Sequence, residues 1–128
     1  MRLSWEKKMT LITFDDSVKL DDSQKLLLSK HFSMAHSNMM PHQLAAMLGL
    51  KYSKALVILT LLGLSDRTKS SLLIYHNCDK SVPAGAIPYG TGFPKLPWHC
   101  PLCEDDVEDY SELSFDVMVT ALEPIKFV

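Results

Sequence analysis

The sequence predicts a mixed α+β protein, and three observations carry that expectation. Between residues 21 and 63 the chain places helix-capping residues, a helix-opening proline and two glycines around leucine-rich stretches. Short runs rich in aliphatic and aromatic side chains flank that region, at residues 10–14, 72–75 and 113–120. Six of the seven prolines fall after residue 82, which marks the C-terminal third as loop-rich.

Taken in order, residues 10–14 read as a short strand ending at Asp15-Asp16. Asp21 or Asp22 caps a helix over roughly residues 23–34, with Leu26, Leu27, Phe32 and Met34 near its buried side. Ser37 or Asn38 caps a second helix, which Pro41 opens and Gly49 ends. A third helix runs over about residues 53–62 and is closed by Gly63. The polar residues 65–70 then lead to a strand at 72–75. Residues 83–94, with three glycines and three prolines, form an extended loop packed by Ile87, Tyr89 and Phe93. No Gly-Lys-Ser/Thr follows those glycines, so they make no phosphate cradle. Glu104, Asp105, Asp106, Glu108, Asp109 and Glu112 read as a solvated acidic surface. Period-2 alternation makes residues 113–120 a strand, and residues 125–128 form a last one.

Size and charge narrow the function classes. A chain of 128 residues, 47% of them apolar, can bury one ordinary core, or one core with a small metal-stapled appendage. With charged residues at 22%, the composition is that of a folded chain. The net charge of −2 is unevenly spread. Residues 1–40 carry six Lys/Arg against five Asp/Glu, residues 41–75 four against one, and residues 76–128 three against nine. The acidic C-terminal third repels phosphate backbones, which leaves only the middle segment to engage nucleic acid. The longest apolar run, residues 55–64, is about half the ~20 residues that a membrane-spanning helix needs. The first eight residues show no apolar signal region, so the expected compartment is the reducing cytoplasm. Cysteines there bind metal or react more often than they pair, and an odd count of three agrees.

The order helix, helix, short turn, helix, strand resembles a winged helix, a helix-turn-helix variant with a β-hairpin. The matching residues are Gln43-Leu44-Ala45, Leu48-Gly49-Leu50, Ala55-Leu56, Leu59, Gly63-Leu64 and the strand after Arg67-Thr68-Lys69. The resemblance covers about residues 22–76 and implies a core of Leu44, Ala45, Leu48, Leu56, Leu59 and Leu64. It also implies that Val57, Ile58 and Leu61 point outward. Such a face suits a protein partner or a second copy better than a phosphate backbone. Burial against residues 1–20 or the C-terminal segment is the simpler alternative. In a DNA-reading winged helix the third helix enters the major groove, and Lys51, Tyr52, Ser53 and Lys54 are the residues that would contact bases and phosphates.

The densest chemical constellation lies further on. His76 and Cys78, at i and i+2 at a strand end, fall on one face. Cys100-Pro101-Leu102-Cys103 makes a turn in which both sulfurs converge while backbone N–H groups donate to them. Zinc takes four N/S ligands in a tetrahedron, and this set supplies them with no cysteine left over and no open position for catalysis. The arrangement resembles a zinc ribbon over roughly residues 74–120, with His-x-Cys in place of the usual Cys-x-x-Cys in the first pair. His99 is a rival to His76. A metal would order residues 79–112, which hold few apolar side chains. A redox couple is the other reading of Cys100 and Cys103, but the Glu104-Asp105-Asp106 that follows is expected to raise a thiol pKa.

No spacing of the five histidines builds a triad with a serine, and Ser70-Ser71 lacks the glycines of a nucleophile elbow. The expectation is therefore a winged-helix-like domain over residues 1–75 with a zinc-ribbon-like module over 76–128 packed on it. It would act without catalysis, as a protein-interaction or adaptor subunit of a larger complex, with structural zinc and neither membrane nor small-molecule substrate. A DNA-binding transcriptional regulator is the alternative, and a thiol redox protein the third.

Overall fold

The computed structural model describes residues 9–14 and 18–128; the expected strand end at Asp15-Asp16 lies outside the described residues. The architecture is α+β. Along the chain come β1 (Thr10–Ile12), α1 (Asp22–His31), β2 (Asn38–Met39), α2 (Pro41–Leu48), α3 (Tyr52–Leu62), β3 (Thr68–His76), β4 (Gly85–Pro88), β5 (Trp98–His99), β6 (Asp106–Val107), a 3-10 turn (Tyr110–Glu112), β7 (Leu113–Ala121) and β8 (Ile125–Phe127). Two compact units emerge: Met1–Lys69 with Val119–Val128, and Ser70–Met118. The division thus differs from the expected boundary at 75/76. β3 and β7 are long strands that each run from one unit into the other, and the last ten residues return to the helical unit. Strand order in the largest sheet is β2-β7-β3-β4.

In the helical unit, α1 starts at a capping box. Asp21 Oδ1 accepts from Gln24 N at 2.7 Å, and Gln24 Oε1 accepts from Asp21 N at 3.0 Å. The bond from the Gln24 backbone, with a second from the Ser23 hydroxyl, holds the Asp21 carboxyl below its usual range. Leu28 and Phe32, four residues apart, form the buried stripe of α1 and its cap. Leu26 and Met34 are each 70% exposed and Leu27 is exposed as well, which corrects their expected burial. At 100° per residue the line through residues 28 and 32 leaves 26 and 27 on the far side.

Pro41 opens α2 as expected, but the cap is Met40, whose N–H donates to Gln43 Oε1 at 3.0 Å. Asn38 instead pairs with Thr120 in a short β-ladder. Gly49 ends α2 in the left-handed region at φ 66°, where its N–H reaches Ala45 O. The chain turns through 115° between α2 and α3. The inward face of α3 follows Ala55, Ile58, Leu59 and Leu62, the i, i+3, i+4, i+7 pattern of an amphipathic helix. Ile58 is therefore fully buried, contrary to its expected outward position. Leu56 is partly exposed and Leu64 is 77% exposed, so neither is a core residue. Leu44, Leu48 and Leu59 are core residues, with Ala45 half-buried against them. β8 pairs in parallel with β1, and Phe127 stacks on Phe14 at 5.7 Å and meets Phe32 at 6.0 Å. Ile125 and Phe127 of β8 are buried in this cluster, and burying a side chain of that kind contributes about 1.5–3 kcal/mol, which ties the C-terminal strand to this unit. No helix among the described residues is long and apolar enough to cross a membrane.

The second unit is built on strands. β3 and β4 pair antiparallel, Leu72 opposite Ile87 and Ile74 opposite Gly85. Part of the expected 83–94 loop is thus a strand; Ile87 packs as expected and Tyr89 is exposed. Phe93, largely exposed, sets its ring 5.0 Å from that of Phe115 and 6.2 Å from that of Tyr110. A Cβ at Gly85 would lie 3.1 Å from the Trp98 ring, so a side chain there would have to push the ring back by a few tenths of an ångström. β5 and β6 make a small antiparallel hairpin, Trp98 opposite Val107. Ile74, Ala84, Cys100, Val107 and Leu113 form the buried cluster, with Leu96, Trp98 and Phe115 against it.

Candidate metal centre

Two turns carry the four expected ligands. β3 ends at His76, and Asp79 N donates back to His76 O at 3.1 Å, closing a turn that contains Cys78. Cys78 lies in this turn and not in the strand, so a reversal of the chain brings it beside His76, in place of the expected strand alternation. The second turn joins β5 to β6. Cys100 N donates to Asp105 O at 2.9 Å and Glu104 N to Cys100 O at 2.8 Å, with Glu104 in the left-handed region at φ 64°. A non-glycine residue in that region is held there by its surroundings.

The ligand atoms of His76, Cys78, Cys100 and Cys103 all lie within 4.8 Å of one another, a geometry that could hold a metal ion. Cys78 Sγ is 3.8 Å from Cys100 Sγ, and Cys103 Sγ is 3.5 Å from His76 Nδ1. All three cysteines are free of disulfides. His76 and Cys100 are buried, Cys103 half-buried and Cys78 exposed. The set is thus anchored inside the unit and open at one corner.

The thiols have different proton affinities. Burial opposes ionisation of Cys100, but the backbone N–H groups of Cys103 and Leu102 donate to its sulfur, and the thiol is lowered to about 7. Desolvation pushes the Cys78 thiol up to about 11, helped by hydrogen bonding with Cys100 and Cys103. The acidic residues after Cys103 were expected to raise the thiols of this turn. At Cys100 the backbone donors win instead, as a Cys-x-x-Cys knuckle arranges them. His99 is exposed, and its Nδ1 sits 3.0 Å from Asp106 Oδ1. The rival ligand is not among the four residues whose ligand atoms cluster.

Sequence reasoning missed Glu112. Its Oε1 lies 3.8 Å from His76 Nε2, although 36 positions separate the two residues and no motif links them. Of the expected partner face, Val57 is 53% exposed and Leu61 38%, while Ile58 is buried. The exposed apolar side of α3 consists of Tyr52, Leu56, Val57 and Leu61, continued by Leu64. Among the residues of the nucleic-acid alternative, Lys51 caps α3, Tyr52 and Ser53 are exposed, and Lys54 Nζ donates to Lys19 O at 3.2 Å. Comparison of the chain with protein-family models, curated proteins and solved structures finds no match.

Proposed function

We propose that this chain is a non-enzymatic, zinc-stabilised protein-interaction module, acting as an adaptor subunit of a larger complex. The observation that carries the reading is the donor set. Among the described residues, three sulfurs and one imidazole converge in one complete group. Three thiolates and an imidazole suit zinc, whose borderline-soft character and tetrahedral preference match them, and a four-ligand shell leaves no site for substrate. The metal therefore has a structural role. The 115° turn between α2 and α3, across a three-residue connection, falls in the range of helix-turn-helix pairs and supports the winged-helix resemblance. The β5–β6 hairpin with Cys100 and Cys103 at its tip supports the zinc-ribbon resemblance.

For the interaction itself, the support is the exposed apolar side of α3. Tyr52, Leu56, Val57, Leu61 and Leu64 offer side chains that bind apolar protein surface and give phosphates no donors beyond one phenol. The test is purification of the chain from its native cells with nuclease present. A stoichiometric protein partner is expected, lost in Val57→Asp and retained in Lys51→Ala with Lys54→Ala. Nucleic acid retained without nuclease, with the reverse response to those variants, would replace the adaptor by a DNA-binding regulator.

A further inference from the structure

His76 is 5% exposed, and its two ring nitrogens face different surroundings. Nδ1 is the nitrogen next to Cys103 Sγ, within the group of sulfurs. Nε2 is buried and has no hydrogen-bond partner. A neutral imidazole carries a proton on one nitrogen and a lone pair on the other, so a ring that ligates through Nδ1 must present Nε2–H. Buried as it is, that N–H needs an acceptor.

Glu112 is placed to be the acceptor. Its Oε1 stands 3.8 Å from Nε2, beyond a hydrogen bond but within reach of a side-chain rotation, and the carboxylate side chain is 40% exposed and so has room to turn. Its backbone is fixed to the ligand segment. Glu112 O accepts from Asn77 N at 3.1 Å, next to His76, and Glu112 N donates to Asp109 O at 3.1 Å in the 3-10 turn. Metal-bound histidines usually give their second nitrogen to a carboxylate or carbonyl, which sets the tautomer and ring orientation.

We propose that His76 binds the metal through Nδ1 and that Glu112 is its positioning residue, accepting the proton of Nε2; this rests on the metal reading above. The carboxylate closes on the ring when metal loads, and it selects the tautomer that leaves the Nδ1 lone pair for the ion.

The test uses zinc and the full-length chain with 15N-labelled histidine. Two-bond 1H–15N correlations of the loaded protein are expected to show His76 metal-bound at Nδ1 and protonated at Nε2. The opposite tautomer overturns the proposal, and this readout needs no variant. Glu112→Ala is expected to weaken zinc binding about 10–100-fold in chelator competition. It should also speed exchange of the Nε2 proton with water. Glu112→Gln, whose amide oxygen still accepts, should recover most of both. If the wild type holds one zinc through the four ligands and Glu112→Ala matches it in affinity and exchange, the positioning role is wrong and the metal reading stands. A wild-type chain that binds no zinc overturns both.

Discussion

The helical unit and the Ser70–Met118 unit reach order by different routes. In the first, one cluster of fifteen buried apolar residues draws on all three helices and on both of the unit's chain segments. In the second, the buried cluster has five members, and one of them is the candidate ligand Cys100. Charge divides the same way. Met1–Lys69 with Val119–Val128 carries eleven Lys/Arg against seven Asp/Glu, net +4, while Ser70–Met118 carries two against eight, net −6. A unit of about 50 residues with so small a core has little hydrophobic burial to set against backbone entropy, and natural scaffolds of that size add a metal or disulfides. A divalent cation held by the four candidate ligands would offset both deficits at once: it would join the two turns and neutralise thiolate charge in an already acidic unit.

The largest expected effect separates the units. Stripping the metal with a chelator, or substituting Cys100→Ser, should abolish amide-exchange protection at Leu72, Ile74 and Val107 while α1, α2 and α3 keep theirs. Structural zinc sites contribute about 10–16 kcal/mol of apparent binding energy, more than so small a unit can supply otherwise. Protection that survives in both units would end the contrast. The converse variant is Phe32→Ala, at a fully buried position in the helical cluster. It should cost about 3–5 kcal/mol in denaturant unfolding and leave one metal per folded chain.

Acidity should act on the second unit. Cys78, with its thiol pushed up to about 11, holds its proton through the neutral range, so a metal that took it as a ligand would have to expel that proton. Metal affinity should then rise with pH, by about tenfold per unit from this proton alone, and fall as pH drops. Chelator competition at pH 6, 7 and 8 measures the slope, and a flat response would mean that Cys78 is no ligand. The smallest effect belongs to the first unit. Gly49→Ala meets no atom within 4 Å, so its cost is that of the left-handed backbone alone, about 1–2 kcal/mol, readable as a lowered Tm without change in metal affinity.

What was legible in the sequence was what is local. Asp21 as a cap, Pro41 as a helix opener and Gly49 as a stop each act through bonds or dihedrals within a few residues. The cluster of His76, Cys78, Cys100 and Cys103 was legible because few other residue types can satisfy zinc, whatever path the chain takes between them. The phase of α3 was not. Leucine, valine and isoleucine occupy so many of its positions that periodicity alone leaves the inward face undecided. Tertiary packing chose Ala55, Ile58, Leu59 and Leu62. The return of Ile125 and Phe127 to the helical unit, the β4 pairing inside a glycine-rich segment, and the approach of Glu112 to His76 all join distant positions. Local pattern holds no record of them.

The central claim is that one metal ion is part of this fold, and elemental analysis of the full-length protein tests it most directly. Protein purified without added metal, beside a Cys103→Ser variant prepared in parallel, should contain one zinc per chain in the wild type and well under one in the variant. A wild-type content far below one, or an unchanged content in Cys103→Ser, would contradict it.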